Sequence, residues 1–171
     1  MRLVDNEVCV REFQSADIAR KVEWINDPEN NQYLHYDIPL EYEKTLRWFE
    51  NRNCAVRRDC VIEYAGVPVG LIGLLDINTF HQRAELYISM GDTSYKRKGI
   101  GYSAVRLILK YAFEELGVNK VFLNVDAENV AACRLYEKAG FVCEGYFRQD
   151  MMHRGKLIDR KRYAVLREDY R

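Results

Sequence analysis

Two strand-like stretches, separated by a glycine-bearing turn and a long amphipathic helix, constrain this chain more than any other feature. Arg83 to Met90 alternates, with Ala84, Leu86, Ile88 and Met90 on one side and Glu85, Tyr87 and Ser89 on the other, the pattern of a half-buried strand. After the glycines at 99 and 101, a helix is predicted to about Leu116. It carries an apolar stripe of Val105, Ile108, Leu109, Ala112 and Leu116, and Gly117 ends it. Lys120 to Val125 is again a strand. A helix between two strands is what a parallel crossover requires, so these strands are expected to be neighbours in one sheet.

The flanking segments fill out that sheet. Val8 to Phe13 is expected to be the first strand, and Ser15 to cap a helix whose Ile18, Val22 and Ile25 share a face, closed by Pro28. Pro39 suits the start of a second helix reaching Asn51, which leaves Glu29 to Ile38 as a loop. Cys60 to Tyr64 and Val67 to Ile77 read as a hairpin across Ala65-Gly66, its second arm kinked by Gly70 and Gly73. Asn129 can cap a short helix ending at Gly140, and Phe141 to Met151 pairs with Ile158 to Leu166 through a turn near Arg154-Gly155. The expected fold class is α/β (α+β), a mixed, mostly antiparallel twisted sheet with about four helices on its faces. Residues 1–171 are expected to form a single domain.

Composition narrows the function classes. The 26 basic residues cancel 26 acidic ones, so no overall field draws the surface to nucleic acid or anionic lipid, and neither partner is expected. Met1 to Phe13 mixes charges with apolar residues, unlike a signal peptide, and no run reaches membrane-spanning length. Cys9, Cys54, Cys60, Cys133 and Cys143 are odd in number and form no C-x-x-C pair, which argues for reduced thiols and a cytoplasmic location. His35, His81 and His153 are far apart and not at ligand spacing, so no metal site is expected.

Chemistry enters at Tyr95-Lys96-Arg97-Lys98-Gly99-Ile100-Gly101. Glycines that turn backbone N–H groups inward, a helix N-terminus and three neighbouring cations together make a seat for a diphosphate. A plain solvated loop is the unspecific alternative. Gly99-x-Gly101-x-x-Ala104 also satisfies a dinucleotide-fold fingerprint, but its context is wrong. Rossmann glycines follow the first strand directly, whereas here Gly91 to Lys98 intervene and a meander precedes them.

Lys96 to Gly101 resembles the Gln/Arg-x-x-Gly-x-Gly/Ala pyrophosphate turn of the GNAT acetyltransferases. Asn129 to Phe141 resembles their N-x-x-A-x-x-L/I-Y-x-K-x-G-F helix. Lys96 stands where the family prefers Gln or Arg. The resemblance extends through Arg83 to Leu86 and into the tail, where Glu144-Gly145 and His153 to Lys156 are similar to the ribosomal-protein and spermidine branches. It implies acetyl-CoA as co-substrate, no metal, and a homodimer as the assembly. It further implies a cofactor arm held where the two parallel strands splay, against the backbone of Ile88, Ser89 and Met90. The diphosphate is then assigned to Lys96, Arg97, Lys98, Gly99, Ile100, Gly101 and Tyr102, and Asn129 is implied as a contact to the cofactor arm.

Transfer of an acetyl group from a thioester to an amine needs a base, because an alkyl ammonium with a pKa of about 10.4 is not a nucleophile. Glu85 can relay that proton through water, although an exposed sheet carboxylate paired with Arg83 or a lysine is its plainer reading. The resemblance assigns protonation of the departing thiolate to Tyr136, against the alternative of a core tyrosine. The expected function is therefore acetyl-CoA-dependent N-acetylation of a primary amine by direct attack in a ternary complex. A protein N-terminus, a polyamine and an amino sugar all remain open as acceptors. Tyr33, His35 and Tyr36, in the loop between the first two helices, are the candidate acceptor contacts. Trp24 and Trp48 read first as core, and Asp27, Glu29, Asp37, Glu41 and Glu43 first as a solvated face, with polyamine attraction as the alternative. Two rivals remain: a non-catalytic acyl-CoA sensor and a nucleotide-dependent oxidoreductase.

Overall fold

A computed structural model describes residues 1–170. The strands are β1 (Arg2–Asp5), β2 (Val8–Glu12), β3 (Arg58–Tyr64), β4 (Val67–Asn78), β5 (Arg83–Met90), β6 (Lys120–Asp126), β7 (Val142–His153) and β8 (Lys156–Leu166). The α-helices are α1 (Ile18–Asn26), α2 (Tyr42–Asn51), α3 (Ile100–Glu114) and α4 (Val130–Lys138). All the strands form one sheet in the order β1-β2-β3-β4-β5-β6-β8-β7, antiparallel except for β5 beside β6. This is the mixed sheet with four helices that the patterning predicts.

Alternation along the strands gives the sheet two apolar faces. Cys60 and Ile62, Ile72 and Leu74, and Ala84 and Leu86 belong to the larger core with Val105, Ile108, Leu109 and Ala112 of α3. Val61 and Leu71 point the other way, to Phe13, Ile18 and Ile25, with Leu46, Trp48 and Phe49 packed against them. Each such large side chain contributes roughly 1.5–3 kcal/mol on burial. The α3 stripe is wider than read, because Ala104, Tyr111 and Phe113 are buried as well.

Four local readings are corrected. The first strand is β2, and β1 precedes it through a tight turn in which Asn6 adopts φ 53°, a conformation Asn tolerates better than most residues. Ser15 does not cap α1. The Asp17 carboxylate takes the Gln14 N–H at 2.8 Å and is held by Arg11 at 2.8 and 2.9 Å, so a 3₁₀ turn over Ser15–Asp17 leads into the helix. Pro39 lies ahead of α2, which starts after Glu41, because both backbone groups of Leu40 are tied to the Asn26 side chain (2.7 and 3.0 Å) in an extended segment. Gly73 marks no irregularity in β4. A Cβ there would fall 2.5 Å from the Tyr87 ring and 2.2 Å from the Arg58 carbonyl, so that glycine admits a close crossing, whereas Gly70 adjoins the β-bulge at Val69, where Ile62 pairs with Gly70 and Glu63 with Pro68.

The pairing that matters most for a site is the shortest. β5 and β6 share three register pairs, Arg83 with Lys120, Ala84 with Val121 and Glu85 with Phe122, and then separate. Beyond Glu85 the β6-facing edge of β5 has no strand against it, while its other edge stays paired to β4 as far as Met90.

Candidate active site

The gap where β5 leaves β6 opens into a cleft of about 940 Å³, within the range of small-molecule sites. Its floor is Glu85 to Met90, so Ile88, Ser89 and Met90 are on its wall as read. One end is closed by the turn before α3. Arg97 (φ 64°) and Gly99 (φ 77°) are both left-handed, and the first bond of α3 runs from the Ser103 N–H to the Gly99 carbonyl at 3.1 Å. The amides of Ile100, Gly101 and Tyr102 therefore have no partner within the helix, and the helix dipole adds partial positive charge there. Lys96 and Arg97 line this end, joined by Lys138 of α4. Lys98 stands off the cleft, its ammonium 5.0 Å from the centre of the Tyr95 ring. Amides, three cations and an open strand edge fit a ligand that carries a diphosphate and an amide-bearing arm.

Helix α4 forms the opposite wall. The Asn129 side chain accepts from the Ala132 N–H at 3.2 Å, which caps the helix and leaves its amide nitrogen free to donate elsewhere. Seven residues on, Tyr136 lines the cleft from a buried position, its ring packed against Phe141 and Tyr163 at centroid distances of 5.8 and 6.2 Å. Burial, with Cys133 adding to it, pushes the Tyr136 phenol well up, so it holds its proton at neutral pH. Glu85 is half-buried on the cleft floor and accepts from Asn124 Nδ2 at 3.4 Å; Arg83 is not its partner. Burial first and Asp76 second push its carboxyl above the usual range, against the opposing effects of Asn124, Arg162 and Arg160.

The other end is built from side chains of distant segments. Tyr33, His35 and Tyr36 line the cleft, as expected of acceptor contacts, with the Tyr33 hydroxyl 3.4 Å from the Glu128 carbonyl. His35 Nε2 lies 2.6 Å from Asp126 Oδ1, at the C-terminal end of β6. Lys21 is buried beside them, its ammonium 3.7 Å from the centre of the Trp48 ring and 5.6 Å from those of Phe13 and Tyr36. Burial pulls Lys21 down to about 8, against the opposing charge of Asp59.

The profile of the acetyltransferase (GNAT) domain family matches residues 7–142. The chain belongs to the GNAT acetyltransferase family. It is accordingly an acetyl-CoA-dependent N-acetyltransferase. It is 28% identical over 170 residues to the spermidine N(1)-acetyltransferase of Vibrio cholerae serotype O1, a match covering 98% of this chain and 97% of that one. It is 34% identical over 113 residues to the Escherichia coli spermidine N(1)-acetyltransferase, which covers 66% of this chain and 60% of that protein. The crystal structure of the Vibrio cholerae spermidine N-acetyltransferase in complex with CoA and spermine superposes with a TM-score of 0.89 at 27% identity, covering 97% and 99% of the two chains.

Several residues of this GNAT cleft escaped the sequence reading: Lys21, Arg57, Asp59, Asp126 and Arg160. Asp126 had a usable signal, since it ends a strand of the parallel pair, and ligands of open α/β sheets gather at the carboxyl ends of strands. Asp59 had none. It lies at the edge of β3 in sequence and becomes part of the site only through Arg57 (2.8 Å) and the Tyr87 hydroxyl (2.8 Å). Of the five loop acids, Glu29 lines the cleft, whereas Asp27 caps the Glu29 N–H at 2.9 Å and Glu41 is paired with Lys44. Trp24 is packed under Gly91, where a Cβ would fall 2.0 Å from the indole. Among the described residues no helix is long and apolar enough to cross a membrane, and no group of three or more His, Cys, Asp or Glu is placed to hold a metal ion.

Proposed function

We propose that this GNAT enzyme, acting as one domain, acetylates a primary amine of a polyamine by direct attack within a ternary complex. The observation that carries the reading is the convergence in one cleft of an amide-rich anion seat, a buried phenol and two carboxylates, Glu85 and Asp126, on the strands that separate. In this mechanism the amides of Ile100 to Tyr102, with Lys96 and Arg97, seat the diphosphate. The free edge at Ile88 to Met90 and Asn129 align the arm, so that the thioester lies between Glu85 and Tyr136. Glu85 takes a proton from the ammonium through water, and the upward push on its carboxyl brings its basicity closer to that of the amine. The freed nitrogen bonds to the carbonyl carbon as the carbon–sulfur bond breaks. Tyr136 gives its proton to the departing thiolate and its phenolate takes the second proton shed by the acylated nitrogen, so the net products are the amide, the free thiol and one proton left on Glu85.

A polyamine is favoured over the other acceptors for two reasons. Glu85 and Asp126 set negative charge beside the point where the two strands separate, where further ammonium groups of a polycation would sit. The full-length relative from Vibrio cholerae acts on spermidine by name. Tyr33, His35 and Tyr36 would then contact the polyamine chain. A cytoplasmic site of action agrees with five cysteines that are all free thiols. For assembly, a homodimer is the smaller unit to consider beside a larger oligomer, since a Vibrio cholerae spermidine N-acetyltransferase of 25% identity (TM-score 0.82) has a dodecameric structure.

A thiol-release assay across spermidine, spermine, amino sugars, amino acids and free peptide N-termini tests the assignment. Turnover with polyamines well above the rest is expected. Turnover confined to a sugar or a peptide would overturn the acceptor, and coenzyme A binding without release under any amine would restore the sensor reading.

A further inference from the structure

The loop between α1 and α2 is fastened to the tip of the β7–β8 hairpin by contacts that the acetyl-transfer chemistry does not use. Arg154 Nη2 donates to both the backbone carbonyl and the side-chain oxygen of the buried Asn31, 2.9 Å each. His153 Nε2 lies 3.0 Å from the Gln32 carbonyl, and its Nδ1 lies 3.1 Å from Nδ1 of His35. The two imidazoles meet edge to face with centroids 4.4 Å apart, and His35 continues the chain to Asp126 through its Nε2.

Counting protons along this chain gives a definite answer. A carbonyl only accepts, so His153 Nε2 carries hydrogen. An ionised carboxylate only accepts, so His35 Nε2 carries hydrogen too. A neutral imidazole has one N–H, and two neutral rings would therefore present bare lone pairs to each other across the 3.1 Å contact. The contact becomes a hydrogen bond only when the assembly holds one more proton. Placing that proton on Asp126 and reversing the His35 tautomer leads to the same count.

From this count we infer that His35 and His153 share a single proton, balanced by the Asp126 carboxylate, and that this shared-proton latch positions the 27–41 loop as the acceptor wall of the cleft. Adding a second proton sets N–H against N–H, and removing the shared one sets lone pair against lone pair. The latch therefore closes only within a window of pH. The other charged groups facing it are Asp37 on the loop, Arg154 on the hairpin, and Arg160 of β8, which is the register partner of Asp126 and is itself paired with Asp150 at 2.6 Å. His153 is thus a positioning residue: it lies outside the cleft and acts through His35, which lines it.

The kinetic consequence rests on reading that wall as the acceptor site, whereas the spectroscopic one does not. In ¹⁵N-histidine-labelled full-length protein followed over about two pH units either side of the histidine reference value, the Nδ1 resonances of His35 and His153 are expected to change together. They should pass through a state intermediate between protonated and bare nitrogen. Independent titration of the two rings, or two rings neutral throughout, would overturn the latch whatever the enzyme acetylates. In the thiol-release assay, His153→Ala should raise the acceptor KM several-fold while leaving the acetyl-CoA KM near its original value. His153→Asn keeps an amide nitrogen where Nδ1 stands and can donate to His35 without an extra proton, so it should recover the acceptor KM and flatten its pH dependence. An Asn variant that behaves like Ala, or that keeps the original pH dependence, would sink the proposal. If polyamines prove to be the wrong acceptors, the same measurements with the amine that does turn over still decide it.

Discussion

The two ends of the cleft are built from different materials. The cofactor end is a matter of backbone, made of amides at the start of α3, a left-handed Gly99 and the free edge of β5, all within one stretch of chain. The acceptor end is a matter of side chains drawn from residues 21–36, 57–59, 124–126 and 160. Backbone donors are indifferent to the side chains they carry, so Lys96 in place of Gln or Arg leaves the anion seat in being. A wall of Tyr, His, Asp and Lys side chains changes its chemistry with every substitution. One end is suited to a ligand common to many enzymes, the other to whatever acceptor a particular chain has come to use.

That contrast is most exposed at Tyr136, which belongs to the cofactor side. Replacing it by Phe should lower kcat by about 10²-fold or more with every acceptor alike, while acetyl-CoA still binds. Unchanged turnover at saturating acetyl-CoA would remove it from the mechanism. Glu85 sits at the junction, and its Gln variant should lose the acidic limb of the rate profile. The sign follows from the raised carboxyl: a base works only when ionised, so the native rate falls as pH drops through a value above the ordinary carboxylate range. A Gln variant with the native profile between about pH 6 and 9 would place the base elsewhere.

The smallest effect is one of stability, at the acceptor end. Folding pulls Lys21 from 10.5 to about 8 because burial penalises its charge. Between those values the unfolded chain binds more protons than the folded one, so native stability should rise with pH by up to about 1.4 kcal/mol per unit. Lys21→Met should erase that slope while keeping the aromatic box filled. Denaturant melts at a series of pH values would measure it, and a slope that survives the substitution would mean that another group supplies it.

Legibility in the sequence divides along the same line. The order of strands and helices, the parallel pair and the glycine seat could be read because each depends on short-range periodicity or on glycines at fixed offsets. Tyr136 and Asn129 could be placed because they share one short helix. The errors fell where a distant side chain overrides local preference: Asn26 holding Leu40 extended ahead of α2, and Arg11 holding Asp17 ahead of α1. Gly73 was misread because its reason is the Tyr87 ring on the neighbouring strand. Tyr33, His35 and Tyr36 could be picked out and do line the cleft, but Asp126 and His153 were not picked out, since 91 and 118 residues separate them from His35. No window along the chain contains that meeting.

The brevity of the β5–β6 contact has a mechanical meaning as well. The sheet is in effect two stiff plates, one of five strands and one of three, riveted along a seam of three rungs near Ala84 and Val121. An amide-bearing chain lying beyond that seam spans both plates and lengthens the join. Occupancy of the cleft should then slow amide hydrogen exchange on both sides of the seam, in β3 and β4 as well as in β6 and β8.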